Sequence, residues 1–281
     1  SEPLAAFNDK LQQVCKTFRS VVCVGLDPDP NLMPIPDLTV FNSAIVDATK
    51  DLVCAYKPNL SFYEALGLDG LKALENTIRH IRDHAPNVLV LGDAKRGDIA
   101  STNSKYASAL FDYWGFDGIT VNAYAGGESL LPFFEYGDRG VFVWCHSSNL
   151  GSREFQDLRL TDGDTSSHLY EWIARKASDW NFSNNVGLVV GATYPEELAK
   201  VRASAPGIPI LIPGVGAQKG ELSESVKSGL DSDSPNIIVN SSRGIIYASH
   251  DATGFDTAAR KAAQRLRRSI NLILTKKLRI I

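Results

Sequence analysis

The sequence predicts an eight-stranded parallel α/β barrel, the (β/α)8 or TIM-barrel class, and three observations carry that expectation. Eight short apolar runs recur along the chain, at 21–27, 53–57, 88–95, 118–122, 140–145, 186–191, 208–213 and 236–240. Each is continuous rather than alternating, as expected of a strand buried on both faces. Segments with helical spacing separate them, and strand alternating with helix points to a parallel sheet. Eight such units can close and leave no unpaired sheet edge. A doubly wound open sheet is the alternative. Against it, the first strand runs into Gly25-Leu26-Asp27-Pro28-Asp29-Pro30. That is not a Gly-x-Gly-x-x-Gly turn, and its prolines block an immediate helix.

The helical segments are predicted at 40–52, 64–81, 104–114, 168–180, 195–204, 222–228 and 255–270, with an extra helix at 7–18 ahead of the first strand. In the fourth, Tyr170, Ile173, Ala174 and Ala177 recur at three and four residues, an apolar helix face. Pro195 followed by Glu196 and Glu197 marks a helix start, with proline in the first turn and acids at the positive dipole end. Barrels of this size are routinely one unit, so residues 1–281 are read as a single catalytic domain.

Composition excludes several classes. With 44% hydrophobic and 22% charged residues the chain is ordinary for a globular protein. A net charge of −3 offers no basic field for a nucleic acid polymer. No apolar run nears the roughly 18 residues of a membrane span, and no charged-then-apolar leader is seen, so no membrane partner is expected. Cys15, Cys23, Cys54 and Cys145 are dispersed and form no C-x-x-C pair. Neither a zinc site nor a disulfide framework is indicated, and a reducing cytoplasm fits.

In a barrel the chemistry sits where strands end. Those ends are unusually polar here: Asp27; Lys57-Pro58-Asn59; Asp93, Lys95 and Asp98; Asn122; His146-Ser147-Ser148-Asn149; Pro213 to Gln218; and Asn240 to Gly244. The third is the most telling. Asp93 and Lys95 are two apart on a strand, so they share a face. Two carboxylates and an ammonium in a poorly solvated place are costly unless they pair. One reading is a loop salt bridge with Asp98 capping the helix that starts near Ala100. The other is a row of Lys57, Asp93, Lys95 and Asp98 in which alternating charges keep one another ionised. Such a row suits a reaction that makes or consumes a carbanion, with a lysine delivering the proton. Hydride transfer fits poorly, since no dinucleotide motif is present.

The last two strand ends read as a phosphate site. Gly214, Gly216 and Gly244 let backbone amides approach an anion, and Arg243 supplies a planar fork for its oxygens. Other features carry less. His80 and His84 are four apart but lack the glutamate of His-Glu-x-x-His. His146 is read as hydrogen-bonding either a ligand or a backbone carbonyl. His168 and His250 are expected at the surface. The basic run 260–268 is expected on the outer face of the last helix.

Together these residues resemble the orotidine 5′-monophosphate decarboxylase family, in its longer bacterial branch. Asp93-Ala94-Lys95-Arg96-Gly97-Asp98-Ile99 is similar to that family's Asp-x-Lys-x-x-Asp-Ile signature. Val24 to Pro28, Tyr56 to Asn59, Pro213 to Gln218 and Ser242-Arg243-Gly244 fall in the family's order, and the likeness spans about residues 7–262. The resemblance implies conversion of orotidine 5′-monophosphate to UMP and CO2, the last step of de novo pyrimidine nucleotide synthesis, without cofactor or metal. It implies Lys95 as proton donor to the C6 carbanion, Asp93 and a partner's Asp98 crowding the substrate carboxylate, and Lys57 holding the row. It further implies ribose contacts from Asp27, a pyrimidine contact from Ser148 and a place for Asn122 in the substrate site. Gln218, Arg243, Gly244 and the Gly214–Gly216 amides would hold the phosphate. A homodimer with Asp98 and Thr102 crossing the interface is implied. Three rivals stay open: a Mg2+-dependent barrel acting on a sugar phosphate, a Schiff-base aldolase using Lys57 or Lys95, and a non-catalytic nucleotide-binding barrel.

Overall fold

The computed structural model describes residues 3–192, 194–215 and 219–278. Helix α1 (Phe7–Phe18) ends at Arg19, where φ of +48° turns the chain toward β1 (Val22–Leu26), buried at every position. Asp37 caps α2 (Leu38–Thr49), accepting from the Val40 amide at 2.9 Å. Next come β2 (Ala55–Pro58), a short α3 (Leu60–Glu64), α4 (Gly67–His84) and β3 (Leu89–Arg96). Helix α5 (Ala100–Ala107) runs on as a π-helical turn over Ser108–Tyr113, ahead of β4 (Gly118–Val121), α6 (Gly127–Phe134) and β5 (Gly140–His146).

After β5 lie the four-residue α7 (Ser152–Phe155) and an antiparallel hairpin of β6 (Arg159–Asp162) and β7 (Thr165–His168). A capping box between His168 and Glu171 opens α8 (Leu169–Trp180). Then follow β8 (Val186–Val190), α9 (Pro195–Ser204), β9 (Ile210–Ile212), α10 (Lys219–Gly229), β10 (Ile237–Ser241), α11 (Arg243–Ile246) and α12 (Phe255–Leu278).

Eight of these strands close a barrel in the order β1-β10-β9-β8-β5-β4-β3-β2, all neighbours parallel. They are the eight apolar runs of the sequence. Alternate residues feed two cores. Val90, Ile119 and Val143 face the helices in an outer cluster, while Leu89, Leu91, Phe142, Val189, Leu211 and Ile238 fill the barrel.

The extra helix has a clear job. Phe7 and Leu11 of α1 belong to the inner cluster, and Phe7 meets Phe142 edge-on with centroids 5.8 Å apart. A Cβ on Gly140 would fall 2.4 Å from the Phe7 ring, so glycine is what lets the plug seat. Burying those two side chains is worth about 1.5–3 kcal/mol each. With the N-terminal end stoppered, polar chemistry is left to the other mouth.

Some expectations need adjusting. The sequence did not mark α3, α6, α7, α11 or the hairpin, and α12 runs past the expected 270. Its basic run lies outside, as expected: Arg260 pairs with Asp51 at 2.7 Å, and Lys261, Arg265 and Arg268 line a groove of about 630 Å³ away from the strand ends. The four cysteines are free; burial pushes the Cys23 thiol up to about 12 and the Cys145 thiol higher still, as suits packed, unreactive groups. Among the described residues no helix is long and apolar enough to cross a membrane.

Candidate active site

The third strand does not run straight to its end. Gly92 and Arg96 of β3 pair with Ile119 and Val121 of β4, so residues 93–95 face Thr120 alone. Such a bulge re-aims side chains at a barrel rim. Lys95 adopts φ of +47°, a left-handed conformation uncommon for a residue with a Cβ. Simple alternation therefore does not explain why Asp93 and Lys95 meet. The bulge brings them together.

Lys57 Nζ donates to Asp93 Oδ2 at 2.9 Å, and Lys95 Nζ donates to Asp93 Oδ1 at 2.7 Å. Thr120 Oγ1 also donates to Oδ1, at 2.7 Å. Asp93 is 8% exposed and Lys57 only 4%. Burial alone would push the Asp93 carboxyl up, but the Lys57 and Lys95 charges hold it well below the usual carboxylate range. Burial likewise works against the Lys57 ammonium, and the Asp93 and Asp27 charges outweigh it, so its pKa lies above the ordinary value. The pair is locked in its ionised form.

Asp27 stands beside them. Its Oδ1 accepts from the Asn59 amide at 3.2 Å. Burial raises its carboxyl, against the pull of Lys57 and a hydrogen bond from Ser242.

Asp98 is not in this row. It is exposed, with its carboxylate turned back onto the Ile99 amide at 2.6 Å. Ile99, not Asp98, occupies the N-cap position of α5, so the capping reading of Asp98 does not hold. Buried Asn103 grips the backbone of Asp98 at both ends, accepting from its amide at 2.9 Å and donating to its carbonyl at 2.8 Å. Thr102 lies half-buried in the first turn of α5. Asn122 faces inward onto the chain: its Nδ2 donates to the Lys95 carbonyl at 3.2 Å and leaves no room for a side chain at Gly97.

Across the mouth the groups are open. Ser148 is exposed, its Oγ lying where a Cβ on Gly191 would come within 2.1 Å. Gly214 has φ of +73°, and a Cβ there would sit 3.9 Å from the same Oγ. Arg243 and Gly244 begin α11, both exposed. Gly216 and Gln218 lie outside the described residues. Near Ser148, β5 carries a second irregularity: Trp144 and His146 pair with the consecutive Val189 and Val190. His146 is thereby buried edge-on against Tyr170, its Nε2 3.1 Å from Asp157 Oδ1. It meets a carboxylate, neither of the partners expected from sequence. His168 is also less peripheral than expected, stacked on Tyr170 and bonded to the Asp157 carbonyl at 2.8 Å.

Three side chains in or around the array were not marked by sequence reasoning: Thr120, Asn103 and Trp144. Trp144 is the single exposed position of β5, and the Lys95 ammonium sits 5.2 Å from the centroid of its ring. Thr120 and Trp144 each lie two residues before a strand-end residue that was marked, Asn122 and His146. Reading the β4 face one step deeper would have found Thr120; the irregularity in β5 leaves Trp144 exposed and His146 buried, so alternation gave no pointer to Trp144. Among the described residues no group of three or more His, Cys, Asp and Glu gathers as metal ligands do. What the array offers is one ammonium that is half-open to a ligand, Lys95, backed by a buried carboxylate and a second ammonium.

Comparison with known proteins bears on this geometry. The model of the orotidine 5′-phosphate decarboxylase / HUMPS family matches residues 20–257. An orotidine 5′-phosphate decarboxylase of Thermomicrobium roseum is 48% identical over 275 residues, covering 95% of this chain and 96% of the relative. One from Dehalococcoides mccartyi is 46% identical over 266 residues, 94% of this chain and 97% of that one. Among solved structures, OMP decarboxylase of Leishmania donovani superposes with a TM-score of 0.83 at 39% identity, covering 96% of this chain and 98% of that chain.

Proposed function

This chain belongs to the orotidine 5′-phosphate decarboxylase / HUMPS family and is a carboxy-lyase by that kinship, and from that premise we propose how it works. It converts orotidine 5′-monophosphate to UMP and CO2, with Lys95 as proton donor and no cofactor. The observation that carries the proposal is Asp93 held between Lys57 at 2.9 Å and Lys95 at 2.7 Å, buried at the barrel mouth.

The C6–carboxylate bond breaks, its electron pair stays on C6, and CO2 departs. The Lys95 ammonium passes one proton to C6, giving UMP, and the neutral amine regains a proton from solvent. Asp93 cannot relieve its charge by protonation, because Lys57 and Lys95 hold its pKa down. A substrate carboxylate seated beside it is therefore disfavoured relative to the carbanion that loses that charge to CO2. Lys57 keeps Asp93 ionised and in place.

The remaining roles are assigned on the family resemblance. Asp27 takes the ribose hydroxyls, Ser148 the pyrimidine, and Arg243 with Gly214, Gly244, Gly216 and Gln218 the phosphate. Asn122 serves the site through the Lys95 backbone. Phosphate is remote from the bond that breaks, so its binding energy can be spent on expelling water around the charges. We place Asp98 and Thr102 in a partner's site across a homodimer interface. Supporting this, Asp98 is exposed with its backbone clamped, and the adjoining Ile99 is 63% exposed.

The test is direct. The purified chain, dialysed against EDTA, is mixed with orotidine 5′-monophosphate and the loss of ultraviolet absorbance is followed. Steady consumption, unchanged by EDTA, supports the proposal. No consumption overturns it, and activity that EDTA abolishes and Mg2+ restores favours the metal-dependent sugar-phosphate chemistry instead.

A further inference from the structure

We infer that Thr120 is a positioning residue for the reaction: its hydroxyl sets both the orientation of Asp93 and the bulge that presents Lys95. The inference rests on the decarboxylase reading above and names a device that reading does not contain.

The bulge puts three residues of β3 opposite one of β4. Two backbone amides, those of Ala94 and Lys95, consequently lose the partners a regular ladder would give them. Buried amides are rarely left unpaired, so something must accept from them. Thr120 Oγ1 accepts from both, at 3.1 Å and 3.0 Å. A hydroxyl has two lone pairs and one proton. With both lone pairs engaged, the proton has one direction left, and it points at Asp93 Oδ1, 2.7 Å away. The hydroxyl's capacity is fully used, and its rotation is fixed.

Three consequences meet at this atom. Asp93 Oδ1 is shared by Thr120 and Lys95, while Oδ2 goes to Lys57, so the carboxylate has donors on both oxygens. The left-handed backbone at Lys95 is tied at its own amide. Thr120 itself is 2% exposed on a strand paired on both sides, opposite Phe142 of β5, so it is a rigid anchor. The base of the Lys95 side chain and the partner of its ammonium are thus held by one oxygen. Serine supplies the same three bonds. Cysteine fits the space with a weak donor and acceptor. Valine fills the shape and supplies none.

Four proteins decide the matter: wild type, Thr120→Ser, Thr120→Cys and Thr120→Val. Each is assayed for kcat and KM with orotidine 5′-monophosphate and for UMP affinity by calorimetry. The expected order in kcat is wild type and serine within about threefold, cysteine lower, and valine down by on the order of 10², the loss that a misplacement of about 1 Å brings. UMP affinity stays within about threefold throughout. If the valine variant does not fold, the cysteine variant carries the comparison, with kcat reduced and UMP affinity kept. A flat kcat across the series overturns the inference, and so does UMP affinity falling in step with kcat, which marks a purely structural role. A wild-type chain that leaves orotidine 5′-monophosphate untouched overturns the decarboxylase reading, and the inference with it.

Discussion

At the ends of β2, β3 and β4, Lys57, Asp93 and Lys95 are tied to one another and to Thr120, and little of Asp93 or Lys57 reaches solvent. At the ends of β9 and β10, Gly214 and the start of α11 with Arg243 lie open. One side of the mouth is finished before any ligand arrives, while the other stands ready to receive one. The difference follows the chemistry proposed for each. Groups that must meet a short-lived carbanion gain from being fixed in advance, since reorientation during the reaction would raise its barrier. Groups that recognise a hydrated dianion must first let it in. Preorganisation belongs at the bond that breaks, and openness at the handle.

Breaking the finished side should cost most. Lys95→Ala removes the proton donor, and kcat is expected to fall by on the order of 10³, within the range for general acid–base groups. UMP affinity should hardly change. A variant keeping a tenth of the wild-type rate would remove Lys95 from the role.

Asp93→Asn tests the same side through stability. It takes from the nearly fully buried Lys57 the one carboxylate bonded to it, leaving only the nearby Asp27 charge, and a broken buried pair costs about 3–5 kcal/mol, read by denaturant unfolding at neutral pH. The pH dependence has a definite sign. Asp93 has a folded pKa below its unfolded value, so its contribution is complete above about pH 4 and is lost as pH falls further. The asparagine variant should lack that acid-side contribution. Equal stability of the two proteins at pH 7 would contradict the pairing.

The open side should respond more gently and more selectively. Arg243→Ala is expected to weaken UMP by about 1.5–3 kcal/mol, the value of a charged hydrogen bond, and to leave uridine binding unchanged. Equal losses for both ligands would take Arg243 off the phosphate. Smallest of all is Gly191→Ala, whose Cβ would press on Ser148 Oγ. About a tenfold rise in KM, ~1.4 kcal/mol, with kcat kept is the expected result. An unchanged KM would mean that Ser148 is not needed in that position.

How much of this was legible in the sequence also differs between regions. The barrel strands were, because two-sided burial writes itself as continuous apolar runs, as in Val186 to Val190. The hairpin was not: 159–168 is polar apart from Leu160 and Gly163, and its pairing follows from a turn at Gly163 with φ of +60°, not from burial. In the site, Lys57, Asp93 and Lys95 were legible as charges placed where apolar strands end. The bulge at 93–95 was not, since two added residues in a ladder leave no periodic trace, and Thr120 matters only because of it. His146 shows the same limit. Its partner Asp157 is eleven residues away across a segment whose path the sequence does not fix.

The central claim is that the Lys95 ammonium exchanges a proton with C6 of the pyrimidine. A group that delivers that proton must also be able to remove it, because the forward and reverse steps share one transition state. UMP incubated with the protein in D2O and followed by proton NMR tests this without any decarboxylation. The account predicts loss of the C6 proton signal with the wild-type chain and none with Lys95→Ala at equal UMP occupancy. Undiminished exchange in the alanine variant would contradict it.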